Sequence, residues 1–285
     1  RLPGAYGLHN WTNGVTPDGR RMWPDAPPHC CAIQGNMNNI CFCVPEWDLL
    51  LERGLGGIAD AAREQIPSAD GDRAVFYRAV IDAMGSVATL IRRYAARARE
   101  LAPAAEAQRR AGLGQIAARC ERVAWEPPTD LPEALQLLQI VHMLLSCLVG
   151  GRDVTPGRMD QYLLPFYRAS IDSGQLTRDD AVKLLAMFML RLSQTAGHGP
   201  NHAASQRRSP CRYSIQYVTV GGVDREGRPV ENELSQVIAE AIRLLDYEEP
   251  ALLLRYHAEI DRTLLRTVCG LIADQLPVTV YNDAT

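Results

Sequence analysis

Lysine is nearly absent from this chain of 285 residues. Lys183 is the one lysine among 30 basic residues, which reads as genome composition and points to no function. An excess of either charge is missing too. The net charge of −3 gives no electrostatic reason to expect a nucleic acid or an anionic membrane as partner. No cationic segment precedes an apolar run, so no signal peptide is visible. Long apolar runs are also lacking. The longest apolar helix candidate, residues 131–148, is interrupted by Gln136, Gln139, His142 and Ser146. It falls short of the roughly 20 apolar residues that span a bilayer and reads as a buried helix. The C-x-x-C pair of a zinc site is absent, as are the G-x-G-x-x-G and Walker patterns that cradle phosphates.

What is present describes a globular chain. Apolar residues make up 47% and charged residues 22%, enough for one large core or two smaller ones. The eight cysteines are Cys30, Cys31, Cys41, Cys43, Cys120, Cys147, Cys211 and Cys269. Four fall on apolar helix or strand patterns. Mostly buried free thiols in a cytoplasmic protein are expected, rather than a disulfide framework. The chain starts at Arg1 without a methionine and stops at Thr285 just after a strand pattern. It therefore reads as a piece cut from a longer protein.

Residues 1–44 are rich in Gly, Pro and Asn and show no clean period. Residues 45–64 read as a helix broken by Gly54, Gly56 and Gly57. Residues 70–101 give a strong helix, with Phe76, Val80, Met84, Val87, Ile91, Tyr94 and Ala98 as its apolar stripe. Helices follow over 104–120, 131–148, 159–171 and 177–194. Asp130 and Glu133 have the spacing of an N-cap and its partner, with Pro132 in the first turn. After about residue 210 the pattern changes to strand (213–220), helix (232–246), strand (251–256), helix (261–273) and strand (277–281). Such alternation predicts parallel strands joined by crossover helices.

A series of short motifs punctuates these elements. Pro45-Glu46-Trp47-Asp48 is followed by Gly54-Leu55-x-Gly57-Ile58. Arg93-Tyr94-Ala95, Ile116-Ala117-x-x-Cys120 and Pro127-Pro128 with Glu133-Ala134-Leu135-Gln136 come next. Then stand Gly157-Arg158-Met159-Asp160-Gln161-Tyr162, Val-Thr-Val-Gly221-Gly222-Val-Asp, Asn232-Glu233-Leu234-Ser235, Arg255-x-His257 and Asn282-Asp283. Each is weak alone, but in this order the series resembles the pyruvate formate-lyase domain of glycyl radical enzymes.

The resemblance implies an α/β, helix-rich fold: part of a ten-stranded barrel made of two five-stranded parallel half-sheets. Residues 1–210 would form mainly the helical shell and 211–285 the start of the parallel half-barrel. It implies a cytoplasmic, anaerobic lyase, dehydratase, decarboxylase or acyltransferase acting on a small-molecule substrate, homodimeric when intact. No cofactor would be bound. A separate radical-SAM activating enzyme would install a glycyl radical, which oxidises a cysteine to a thiyl radical. In the family both residues lie further along than Thr285, so this chain would hold no catalytic residue and be inactive alone. The alternative class is a short, non-catalytic homologue that binds a partner or scaffolds an assembly.

The resemblance also assigns positions. Gly157, Arg158, Asp160, Gly221, Gly222 and Asn232 would be structural, the two adjacent glycines forming a tight strand-to-loop turn. Arg152 and Asp153 occupy positions where family members commonly carry a His-Ser pair lining the substrate pocket. A guanidinium there could hold a carboxylate or phosphate, or the two charges could pair with each other or face solvent. Phe42 stands where many members have histidine, which argues against a polyol dehydratase such as glycerol dehydratase. Cys30-Cys31 reads as a half-buried loop pair. His198 and His202 flank Gly199 and Pro200, which disfavour a helix, so no metal site is expected.

Overall fold

The computed structural model describes residues 41–148, 152–195, 216–247 and 249–283, and these divide into two compact units. One holds most of the helices. Helix α1 (Trp47–Gln65) is interrupted at Gly54, whose φ of 62° and ψ of 177° leave the helical region. A Cβ at Gly54 would stand 2.6 Å from the Pro127 nitrogen, so glycine here permits both the break and the close approach. Helix α2 (Gly71–Leu101) is capped by Asp70 and packs against α1 and against α3 (Ala107–Val123).

The buried side of α2 is made by Ala74, Ala88, Ile91, Ala95 and Ala98. Ile91 and Ala98 belong to the stripe expected above, but its Phe76 and Tyr94 are not on this side. Phe76 is 62% exposed and Tyr94 43% exposed. Hydrophobicity favours the larger residues as the contact stripe, whereas the helix turns its small alanines inward, where the neighbouring helices come close. By length and composition, Gly71–Ala104 is also apolar enough to cross a bilayer.

The Pro127-Pro128 stop leads into α4 (Leu131–Met143) as anticipated. Asp130 Oδ1 accepts the Glu133 N–H at 2.8 Å, and the Glu133 carboxylate accepts the Thr129 N–H at 2.9 Å. Leu131, Leu135, Leu137 and Leu138 are buried. The expected helix to residue 148 instead changes to a π turn at Leu144–Leu148.

The second unit carries the sheet. Two short strands missed by the sequence reading, β1 (Cys41–Cys43) and β2 (Arg152–Val154), pair in parallel. Gly157 then bridges Val218 in parallel, linking this pair to β3 (Tyr217–Gly221). Beyond it lie β4 (Ala251–Tyr256) and β5 (Val278–Asn282), both parallel and in the order β3-β4-β5. The three strands expected after residue 210 are thus neighbours, as predicted. The single helix expected over 159–171 is two, α5 (Met159–Tyr162) and α6 (Leu164–Asp172), the latter part of the helical unit; α7 covers Arg178–Thr195.

The crossover helices are α8 (Glu233–Leu245) and α9 (Arg262–Ala273), which pack on each other. Val218, Val220, Leu252 and Leu254 are fully buried on one face of the sheet. Leu234, Val237, Ile238 and Ile242 of α8 and Leu264, Val268 and Leu271 of α9 are buried with them. Each such side chain contributes about 1.5–3 kcal/mol by leaving water.

Candidate functional site

The carboxyl ends of parallel strands are where ligands usually meet an open α/β sheet. Here those ends gather the motif residues. β3 runs out into Gly221 (φ +74°) and Gly222 (φ +91°), and the hydrogen-bonded turn follows at Asp224–Gly227, later than the glycine pair suggests. Asp160, in α5, has no solvent exposure. Its Oδ2 accepts the Gly221 N–H at 2.9 Å and the Ser235 hydroxyl at 2.8 Å. Its carbonyl accepts Asn232 Nδ2 at 2.9 Å. Asn232 in turn caps α8 through Leu234 and Ser235, and Ser235 Oγ accepts the Asn232 N–H, a capping box. One buried carboxylate therefore ties the end of β3 to the start of α8.

Arg158 lies beside it and donates to the Gly221 carbonyl at 2.9 Å. Burial pushes its pKa down from the ordinary value; Asp160 opposes this, Arg255 adds to it and Asp283 opposes it. Gly157 donates to the Tyr217 carbonyl at 3.1 Å, and its own carbonyl accepts Thr219 N–H at 2.8 Å. The structure thus brings Gly157, Arg158, Asp160, Gly221 and Asn232 into one hydrogen-bonded cluster, with Gly222 at its edge.

Gly222 borders a second pair. Arg255, at the end of β4, meets Asp283 at 2.6 Å, and Asp283 Oδ2 accepts the Val223 N–H at 3.2 Å. Beyond it, His257 Nε2 lies 2.9 Å from Glu231 Oε2, and Glu231 Oε1 accepts the Asp261 N–H at 2.9 Å. Both pairs are largely shielded from water. Arg255, His257 and Asp283 stand in motifs of the sequence, which assign them no partners. Only the parallel register, which sets Gly221 opposite Arg255 and Arg255 opposite Tyr281, reveals them.

The arrangement is a fastening. Its acids are answered by an arginine, a histidine, a serine hydroxyl and backbone N–H groups, and the one hydroxyl beside a carboxylate, that of Ser235, is taken up by the capping box of α8. Among the described residues no group of three His, Cys, Asp or Glu side chains could hold a metal. Arg152 and Asp153 stand in β2, one strand removed from β3, but their side chains lie outside the described residues. So do the side chain of Phe42 and the whole of Cys30-Cys31 and His198–His202. Of the described cysteines, Cys120 is buried, Cys43 half-buried and Cys269 exposed on α9, where the apolar pattern had suggested burial.

Next to β2, His142 is almost fully buried and its Nε2–H donates to the Val154 carbonyl at 3.0 Å. Burial lowers its pKa to about 4, so the ring is neutral.

A family model described as pyruvate formate lyase-like matches residues 37–285. Among curated proteins, the chain is 30% identical over 265 residues to the probable dehydratase YbiW of Escherichia coli, a match covering 88% of this chain and 32% of that protein. It is 28% identical over 243 residues to the (2S)-3-sulfopropanediol dehydratase of Klebsiella oxytoca, covering 82% and 29%. Among solved structures, the glycerol-bound B12-independent glycerol dehydratase from Clostridium butyricum superposes with a TM-score of 0.78 at 26% identity, covering 86% of this chain and 32% of that one. The chain spans about a third of the length of these relatives.

Proposed function

Since the chain belongs to the pyruvate formate lyase-like family, we propose that it is the helical layer and first half-sheet of a glycyl radical enzyme. The whole protein is read as a radical lyase, dehydratase or decarboxylase acting on a small polar substrate. The family match over residues 37–285 is the observation that carries this reading. Five parallel strands in the order β1 to β5, the first two linked to the others through Gly157, support it.

In this reading the radical glycine and the reacting cysteine follow Thr285 in the intact protein, and a radical-SAM activating enzyme installs the radical. The chain's own residues supply the wall and its fastening, with Arg152 and Asp153 as its substrate-binding residues. The intact protein is a cytoplasmic homodimer of anaerobic metabolism. The test is turnover by the intact protein on a panel of small diols, sulfonates and arylacetates. Bond cleavage that depends on prior anaerobic activation supports the reading. Equal turnover without activation, or none on any substrate after a radical has formed, contradicts it.

A further inference from the structure

We propose that Arg255 and Asp283 form a latch that fixes the direction in which the chain leaves β5, and that they are positioning residues for the enzyme's chemistry. The inference rests on the reading above, in which the reacting cysteine follows β5 along the chain. In residues 1–285 taken alone, Val280 of β5 is 51% and Tyr281 63% exposed. Yet the side chain of Asp283, one residue past its end, is 5% exposed. Its N–H continues the ladder by donating to the Tyr256 carbonyl at 2.8 Å. Its carboxylate then turns back across the sheet. Oδ1 accepts Arg255 Nε at 3.1 Å and Oδ2 accepts the Val223 N–H at 3.2 Å. The Arg255 fork also reaches the Val223 carbonyl at 3.3 Å.

Both carboxylate oxygens are therefore held by groups from two other strands or their exits. A buried carboxylate is costly unless so answered, which leaves Asp283 one orientation. Gly222 makes room for it. A Cβ there would stand 2.6 Å from Asp283 Oδ2 and 2.8 Å from Arg255 Nε. A pair that merely held an edge strand to its neighbour could work anywhere along β4 and β5. This one acts at the point where β5 ends and the next segment starts, at the carboxyl ends of the strands, where ligands meet such sheets.

The test uses the intact, anaerobically activated enzyme. Asp283→Asn and Arg255→Met are compared with wild type for radical content per protomer, KM, kcat and thermal midpoint. Leu254→Val, on the helix-covered face of the same strand, serves as a control for lost stability alone. The expected result is radical content and KM within twofold of wild type, with kcat per radical down about 10–100-fold, the scale that misplacement of about 1 Å produces. Arg255→Lys should recover part of that loss, and Leu254→Val should keep kcat. Unchanged kcat in the two latch variants overturns the proposal, as does an equal fall in Leu254→Val. Failure of both Asp283→Asn and Arg255→Lys to fold also overturns it, because the pair would then hold the fold and not the exit. Absence of any radical in activated wild type would instead overturn the underlying reading.

Discussion

His142 and Asp160 are both buried, and their sites accommodate that differently. Asp160 keeps its place among N–H and O–H donors. His142 is held neutral, its pKa lowered from 6.5 to about 4 by burial. The unfolded chain takes up a proton that the folded chain refuses. Stability from this source is therefore complete above pH 6.5 and is lost as the pH falls toward 4, by about 3 kcal/mol at most. Urea midpoints at pH 7 and pH 5 should differ less in His142→Gln than in wild type; an equal difference would contradict the assignment. Arg152 carries a second prediction. If it recognises an anionic substrate in the intact enzyme, Arg152→Met raises KM roughly 10–100-fold, the loss of one charge-assisted bond. Unchanged kinetics would remove Arg152 from the site. At this scale Gly157, Arg158, Asp160 and Asn232 all stand in sequence motifs, and the structure adds the hydrogen bonds that join them to β3 and α8. The sequence could not reveal that Arg255 answers Asp283, because pairing over 28 positions exists only once the strands are in register.

Among the elements, long periodic ones were legible and short ones were not. β4 was read at its observed bounds, whereas β1 and β2, three residues each, are too short to show a period of two. The π turn at Leu144–Leu148 was invisible because an apolar run reads alike in either helix. The hydrogen-bonded turn after β3 lies at Asp224–Gly227, beyond the glycine pair where the sequence suggests it, and the two places offer an internal comparison. Gly222 and Gly227 both have positive φ, but a Cβ at Gly227 meets nothing within 4 Å. Gly227→Ala should cost backbone strain alone, about 1–2 kcal/mol. Gly222→Ala should cost about 1–3 kcal/mol more, because its Cβ collides with Arg255 and Asp283. Chemical denaturation of the two variants measures the difference; equal costs would show that the neighbours can give way.

At the scale of the chain, the sheet of residues 1–285 taken alone ends in an exposed strand. Four of the five β5 residues, including Val280 and Tyr281, are exposed, although parallel strands are normally covered on both faces. Bare apolar edges recruit other chains. Residues 1–285 expressed alone are therefore expected to self-associate with rising concentration, and Val280→Lys should reduce this in sedimentation velocity. A monodisperse wild-type monomer would contradict it. The central claim is that this chain belongs to an enzyme that works through a glycyl radical. Electron paramagnetic resonance on the intact protein, produced with 13C-glycine and activated without oxygen, tests it most directly. The account predicts an organic-radical signal that broadens with the label. An activated protein with no such signal, or with one indifferent to labelled glycine, would contradict it.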